Sequence, residues 1–91
     1  MDGSSSKVKN LLKMGNIKLY HHPQCDACKH QFGLLKINNL NNFGNSLIDC
    51  SLGNCDGIEG YPTWEYGKIR KSGSMKANEI LKSFNIKKKS L

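Results

Sequence analysis

Residues 18–29 read KLYHHPQCDACK, and the rest of the chain is best understood from this run. A short apolar segment enters a loop that Pro23 interrupts, and two cysteines follow at the start of a segment that can form a helix. At this spacing Cys25 and Cys28 share one turn at a helix N-terminus, where free N–H groups and the helix dipole stabilise a thiolate. The pattern predicts a redox site in which Cys25 attacks a disulfide and the more buried Cys28 resolves the intermediate.

Apolar spacing and turn residues predict an α/β chain. The predicted elements are a helix over 7–14, a strand over 16–20, a helix from Cys25 to about residue 35, an irregular Asn-rich connection over 38–45, a strand over 46–50, one helical turn around Cys55, a hairpin of strands over 63–66 and 69–71, and a helix beginning near Ser74. Because Leu47 and Ile48 are consecutive apolar residues, we expect their strand to be buried on both faces, in the middle of a parallel sheet. The strand–helix–strand half must be parallel and the C-terminal hairpin antiparallel, which gives a mixed four-stranded sheet with flanking helices.

Length and composition predict one small domain. The chain has 91 residues, of which 37% are hydrophobic, and no stretch is apolar enough to cross a bilayer. We expect a disordered lead-in over 1–6, a single domain over 7–86 and a basic tail over 87–91. The net charge of +7 comes from scattered lysines and the run 87–89, so we expect a solvated surface, no specific nucleic-acid partner and a monomer.

The N-terminal residues lack the apolar stretch of a secretion signal, so we expect a cytoplasmic protein with reduced thiols. Asn and Lys are abundant, as in proteins from AT-rich genomes such as those of many large DNA viruses. Packaging in a virion is therefore the alternative location.

A second motif precedes the hairpin. Residues 60–64 read GYPTW, and a proline is permitted at the first position of a strand. Together with the dicysteine, the segments 25–33 and 57–65, the cysteines at 50 and 55, and Gly73 resemble a thioredoxin-like domain. More narrowly, they resemble the version fused to bacterial and plant homologues of vitamin K epoxide reductase. The resemblance covers roughly residues 17–84.

The resemblance implies a thioredoxin-like fold in which the Tyr61–Pro62 bond is cis and lies against the active-site cysteines. Tyr61, Pro62 and Thr63 would then form the substrate-docking surface, where a client segment pairs as an added strand. The implied partners are protein disulfides and a redox donor or acceptor protein, with no cofactor and no bound metal. The chain departs from the family pattern in having no membrane bundle, in the Asp-Ala pair between its active-site cysteines and in the short gap from Cys50 to Cys55.

Four cysteines leave several alternatives open. Cys50 and Cys55 either form the second disulfide that the resemblance implies or remain reduced and partly buried. All four cysteines could instead bind zinc in a small domain that contacts nucleic acid or protein. Two further alternatives are a glutaredoxin-like reductase, although no Gly-Gly-x-Asp pattern follows the hairpin, and a redox-inactive adaptor.

Overall fold

Across the described residues, three helices and a mixed four-stranded sheet make up the fold. The structure is a computed structural model that describes residues 3–53 and 55–86. The elements in chain order are α1 (Ser4–Met14), β1 (Ile17–His21), α2 (Asp26–Leu35), a 3-10 turn (Leu40–Phe43), β2 (Leu47–Asp49), a second 3-10 turn (Cys50–Leu52), β3 (Thr63–Tyr66), β4 (Ile69–Ser72) and α3 (Ala77–Ser83).

The sheet has a parallel half and an antiparallel half, as the sequence predicts. Strand β1 is parallel to β2, with Leu19 opposite Leu47, and antiparallel to β3, with Leu19 opposite Trp64. Strands β3 and β4 form a hairpin whose turn contains Gly67 at a φ of 62°, a left-handed conformation that suits glycine. Strand β1 is therefore paired on both sides, and the two pairings hold its carboxyl end, from which the chain leads to Cys25 and Cys28.

One hydrophobic core joins one face of the sheet to all three helices. Ile17, Leu19 and Trp64 point from that face and are completely buried. They pack with side chains of α1, α2 and α3, namely Val8, Leu11, Leu12, Leu35, Ala77, Ile80 and Leu81. A buried side chain of this size contributes about 1.5–3 kcal/mol relative to an exposed one, so this core fixes the helices against the sheet.

The opposite face of the sheet carries a polar cluster. The Tyr20 hydroxyl donates to Glu65 Oε1 at 3.1 Å, and Arg70 Nε forms a 2.8 Å ion pair with Glu65 Oε2. The Arg70 guanidinium also lies 5.3 Å from the centroid of the Tyr20 ring and donates to the Asp56 carbonyl at 3.4 Å. The loop between β2 and β3 is thereby attached to this face.

The position of β2 corrects one expectation. We predicted a strand buried on both faces in the middle of the sheet, but β2 lies at its edge and its residues are half-buried. Leu47 packs against the core, whereas Ile48 is paired with Tyr20 on the opposite face. Two consecutive apolar residues therefore serve two faces of a short edge strand, a pattern that the sequence does not distinguish from a central one.

Local boundaries also differ. Helix α1 begins at Ser4, so the predicted disordered lead-in is wrong for residues 4–6, while residues 1–2 and the predicted basic tail lie outside the described residues. The predicted helical turn lies at Cys50–Leu52 rather than around Cys55. The Asn-rich connection contains a 3-10 turn, capped by the Asn39 side chain, which accepts from Asn41 N at 3.0 Å. Within residues 3–53 and 55–86, no helix is long and apolar enough to span a membrane.

Candidate functional site

Cys25 occupies the N-cap of α2. Its backbone is extended, with φ −103° and ψ 112°, and its amide donates to the His22 carbonyl at 3.2 Å. The Cys25 sulfur accepts a hydrogen bond from the backbone amide of Cys28 at 3.1 Å. An N-cap side chain satisfies one of the free N–H groups at the start of a helix, and here a sulfur takes the part that an oxygen usually plays. An N–H donor therefore points at the Cys25 sulfur.

The two thiols have different surroundings. Cys25 is half-buried, whereas Cys28 is 1% exposed, and neither is in a disulfide. Burial raises the pKa of Cys28 to about 12, and its hydrogen bond with Cys25 adds to the increase. Cys28 is therefore a protonated thiol at neutral pH, and Cys25 is the thiol that a partner can reach.

The Tyr61–Pro62 turn faces Cys25 across the site. The Cys25 thiol donates to the Tyr61 carbonyl at 3.6 Å, and the Tyr61–Pro62 peptide bond is cis. Pro62 is buried, and Thr63, the first residue of β3, donates from its hydroxyl to the Gly60 carbonyl at 2.6 Å. The fold thus brings Cys25 and Tyr61, which are 36 positions apart in sequence, into contact.

Two histidines flank the site. The His22 ring lies 5.6 Å from the Tyr61 ring, and its Nδ1 accepts from the Gln24 amide at 3.2 Å. His21 is 6% exposed and packs edge-on against Phe32, with ring centroids 5.3 Å apart. Burial holds the pKa of His21 below its ordinary value, although the Asp49 charge acts in the opposite direction. The sequence pattern does not single out His21.

Cys50 and Cys55 form a disulfide, with their Cα atoms 5.6 Å apart. The bond closes the loop that follows β2, whereas Cys25 and Cys28 follow β1. Because β1 and β2 are parallel, with His21 opposite Asp49, both cysteine pairs lie beyond the carboxyl ends of these strands. Sulfurs joined in a disulfide are not thiolate ligands, and across residues 3–53 and 55–86 no three His, Cys, Asp or Glu side chains are grouped to hold a metal ion. The described residues do not supply the tetrahedral set that the zinc alternative requires.

A buried polar group, which the sequence pattern does not single out, lies behind the dithiol. Gln31 lies one helical turn after Cys28, is completely buried and hydrogen-bonds to Trp64 and Met75. A signal was present, because Gln31 is a polar residue three positions after Cys28 and four before Leu35, on the buried face of α2.

Chemically, this site combines one accessible sulfur, one buried thiol a helical turn away and a backbone carbonyl facing the first. An accessible thiol with a second thiol one turn away is the pair that a two-step thiol–disulfide exchange requires. No protein-family model matches the chain, and no curated protein shows significant similarity to it.

Proposed function

We propose that the protein is a thiol–disulfide oxidoreductase of the thioredoxin-like superfamily, similar to the domain fused to vitamin K epoxide reductase homologues. The observation that carries the proposal is the position of the Cys25 sulfur. That sulfur accepts a hydrogen bond from the Cys28 amide at 3.1 Å and lies 3.6 Å from the Tyr61 carbonyl oxygen. The mixed sheet and the β1–α2–β2 crossover are compatible with that superfamily.

The first step is attack by the Cys25 thiolate on one sulfur of a client disulfide. The client S–S bond breaks, a Cys25–client disulfide forms, and the leaving client thiolate takes a proton from water. The Cys28 amide donates to the Cys25 sulfur, and this hydrogen bond fixes the position of the attacking atom.

The second step releases the client. Cys28 loses its proton to water, and its thiolate attacks the Cys25 sulfur, which forms the Cys25–Cys28 disulfide and frees the second client thiolate. Two electrons have then moved from the protein to the client, and a redox donor protein restores the dithiol. Burial is the largest cause of the raised Cys28 pKa and persists in the mixed disulfide, whereas the smaller contribution of the Cys25 charge is removed.

Tyr61, Pro62 and Thr63 form the proposed docking surface. Once Cys25 is in a mixed disulfide, the Tyr61 carbonyl no longer receives its thiol proton and is available to a client backbone N–H. A client segment can then pair beside the turn as an added strand, which brings its disulfide to Cys25.

A glutaredoxin-like reductase would share the exchange steps and differ in the molecule that donates electrons to the disulfide form. The proposed location is the cytoplasm, and the proposed monomer needs no cofactor.

The decisive variant is Cys25→Ser. With dithiothreitol as the donor and insulin as the disulfide substrate, we expect the wild type to accelerate reduction and Cys25→Ser to fall to the rate without protein. The serine hydroxyl keeps the N-cap hydrogen bond, so circular dichroism and thermal stability should change little. Catalysis by Cys25→Ser at the wild-type rate would refute the proposal. A redox-inactive adaptor, by contrast, would show no acceleration in either protein.

A further inference from the structure

The Gln31 side chain is a buried bridge between three segments. Its Oε1 accepts hydrogen bonds from Trp64 Nε1 at 3.0 Å and from the Met75 amide at 2.7 Å. Its Nε2 donates to the Met75 carbonyl at 2.8 Å. Since a buried polar group is costly without partners, these bonds hold α2, β3 and the segment before α3 in one arrangement.

The segment Gly73–Met75 extends this bridge to both sides of the site. The Gly73 amide donates to the Pro62 carbonyl at 2.8 Å. The Ser74 hydroxyl donates at 2.9 Å to the carbonyl of Ala27, the residue before Cys28. Three consecutive residues therefore contact the Tyr61–Pro62 turn, the first turn of α2 and Gln31.

We propose that Gln31 is a positioning residue for the dithiol. Through Met75 and Trp64 it sets the start of α2 against the Tyr61–Pro62 turn, and so it sets the distance between the Cys25 sulfur and the Tyr61 carbonyl. This inference rests on the proposed function for its consequence in turnover, but its geometric content is independent of turnover.

Directional bonds distinguish Gln31 from its apolar neighbours. Leu35 and Phe32 hold α2 through apolar burial, which has no preferred direction. The Gln31 amide makes three bonds with fixed directions, so the helix cannot shift along β3 without breaking at least one of them. Misplacement of a reacting group by about 1 Å can reduce a rate by about a hundredfold.

Two variants separate the bonds from the volume. Gln31→Met retains an unbranched side chain of similar size and removes all three hydrogen bonds. Gln31→Glu is nearly isosteric: a neutral carboxyl can accept from Trp64 and the Met75 amide and donate to the Met75 carbonyl, whereas a carboxylate cannot donate. Burial raises the pKa of such a carboxyl, so we expect its ionisation within the neutral range.

A matched control removes a buried hydrogen bond elsewhere. The Ser46 hydroxyl donates to the Leu12 carbonyl at 2.5 Å, and Ser46 is 3% exposed. It precedes β2 at the end opposite to Cys50, away from the dithiol. Ser46→Ala should lower stability while leaving the kcat/KM for insulin reduction within about twofold of wild type.

For Gln31→Met we expect kcat/KM to fall about tenfold or more, together with a changed rate of Cys25 alkylation by iodoacetamide. For Gln31→Glu we expect the ratio of its kcat/KM to that of wild type to be near one at acidic pH and to decline as pH rises. The Trp64 indole N–H resonance should shift over the same pH interval, with circular dichroism constant. If Gln31→Met does not fold, the pH profile of Gln31→Glu remains a complete test.

Wild-type kcat/KM and alkylation rate in folded Gln31→Met would overturn the inference, as would a pH-independent ratio for Gln31→Glu while the Trp64 resonance moves. Failure of the proposed function has another signature, because wild type itself would then not reduce insulin. The alkylation rates would still decide the role of Gln31 in that case, since they need no turnover.

Discussion

The two cysteine pairs follow neighbouring parallel strands but are built differently. Cys25 and Cys28 lie on the first turn of a helix, one half-buried and the other buried, and both are free. Cys50 and Cys55 lie on either side of a loop and are joined. Both pairs follow the carboxyl end of a strand, so the local backbone determines why one pair is free and the other is bonded. A helix start gives two thiols unequal surroundings, whereas a loop allows two sulfurs to bond and close it.

Removing Cys28, the proposed resolving thiol, should have the largest effect on turnover. We expect Cys28→Ser to stop turnover and to accumulate a mixed disulfide between Cys25 and the client, because no second thiol releases it. Non-reducing electrophoresis and mass spectrometry of the trapped species would detect it. Recovery of the client on Cys50 or Cys55 would instead assign the exchange reaction to the second pair.

Removing the Cys50–Cys55 disulfide should lower the free energy of unfolding and leave the rate of insulin reduction unchanged. The double variant Cys50→Ser with Cys55→Ser opens a loop of sequence separation 5, for which chain entropy predicts a loss of about 2 kcal/mol in the free energy of unfolding. Urea denaturation measures the loss, and the insulin assay at a temperature where the variant is folded should give the wild-type rate. Turnover reduced to the level of Cys25→Ser would place the second pair in the electron path.

A smaller effect should come from His21, which is paired with Asp49 just before the two cysteine pairs. Because burial lowers the pKa of His21 below its ordinary 6.5, the unfolded chain binds its proton more readily than the folded one. Its stabilising effect is complete above pH 6.5 and is lost as pH falls below that value toward the folded-state pKa.

Urea denaturation between pH 7.5 and pH 5 tests this assignment. We expect the free energy of unfolding to fall more steeply for wild type than for His21→Gln, which removes the titrating ring. Parallel pH dependences would show that His21 is not the group responsible. The attraction of Asp49 for protonated His21 limits the size of the difference.

Local signals made the β1–α2 unit predictable. Alternating Ile17 and Leu19 indicate a strand, Pro23 ends it, and the cysteine spacing fits a helix start, all within one short run. The β3–β4 hairpin was equally predictable, because Gly67 and Lys68 form a two-residue turn between the two strands.

Long-range contacts were not predictable in the same way. The edge position of β2 depends on which strands pair, and two apolar residues in sequence suit an edge or a central strand. The Gln31 bridge joins residues 44 positions apart, and an apolar period marks only where a helix is buried, not which polar atoms meet there.

The proposed function requires that Cys25 and Cys28 cycle between a dithiol and a disulfide. Equilibrating the wild type with glutathione redox buffers of graded ratio, followed by acid quenching, alkylation and peptide mapping, would detect this cycle. We expect a reversible Cys25–Cys28 bond whose population follows the buffer ratio while Cys50–Cys55 stays joined. Cys25 and Cys28 that remain separate across all ratios, or that acquire only glutathione adducts, would contradict it.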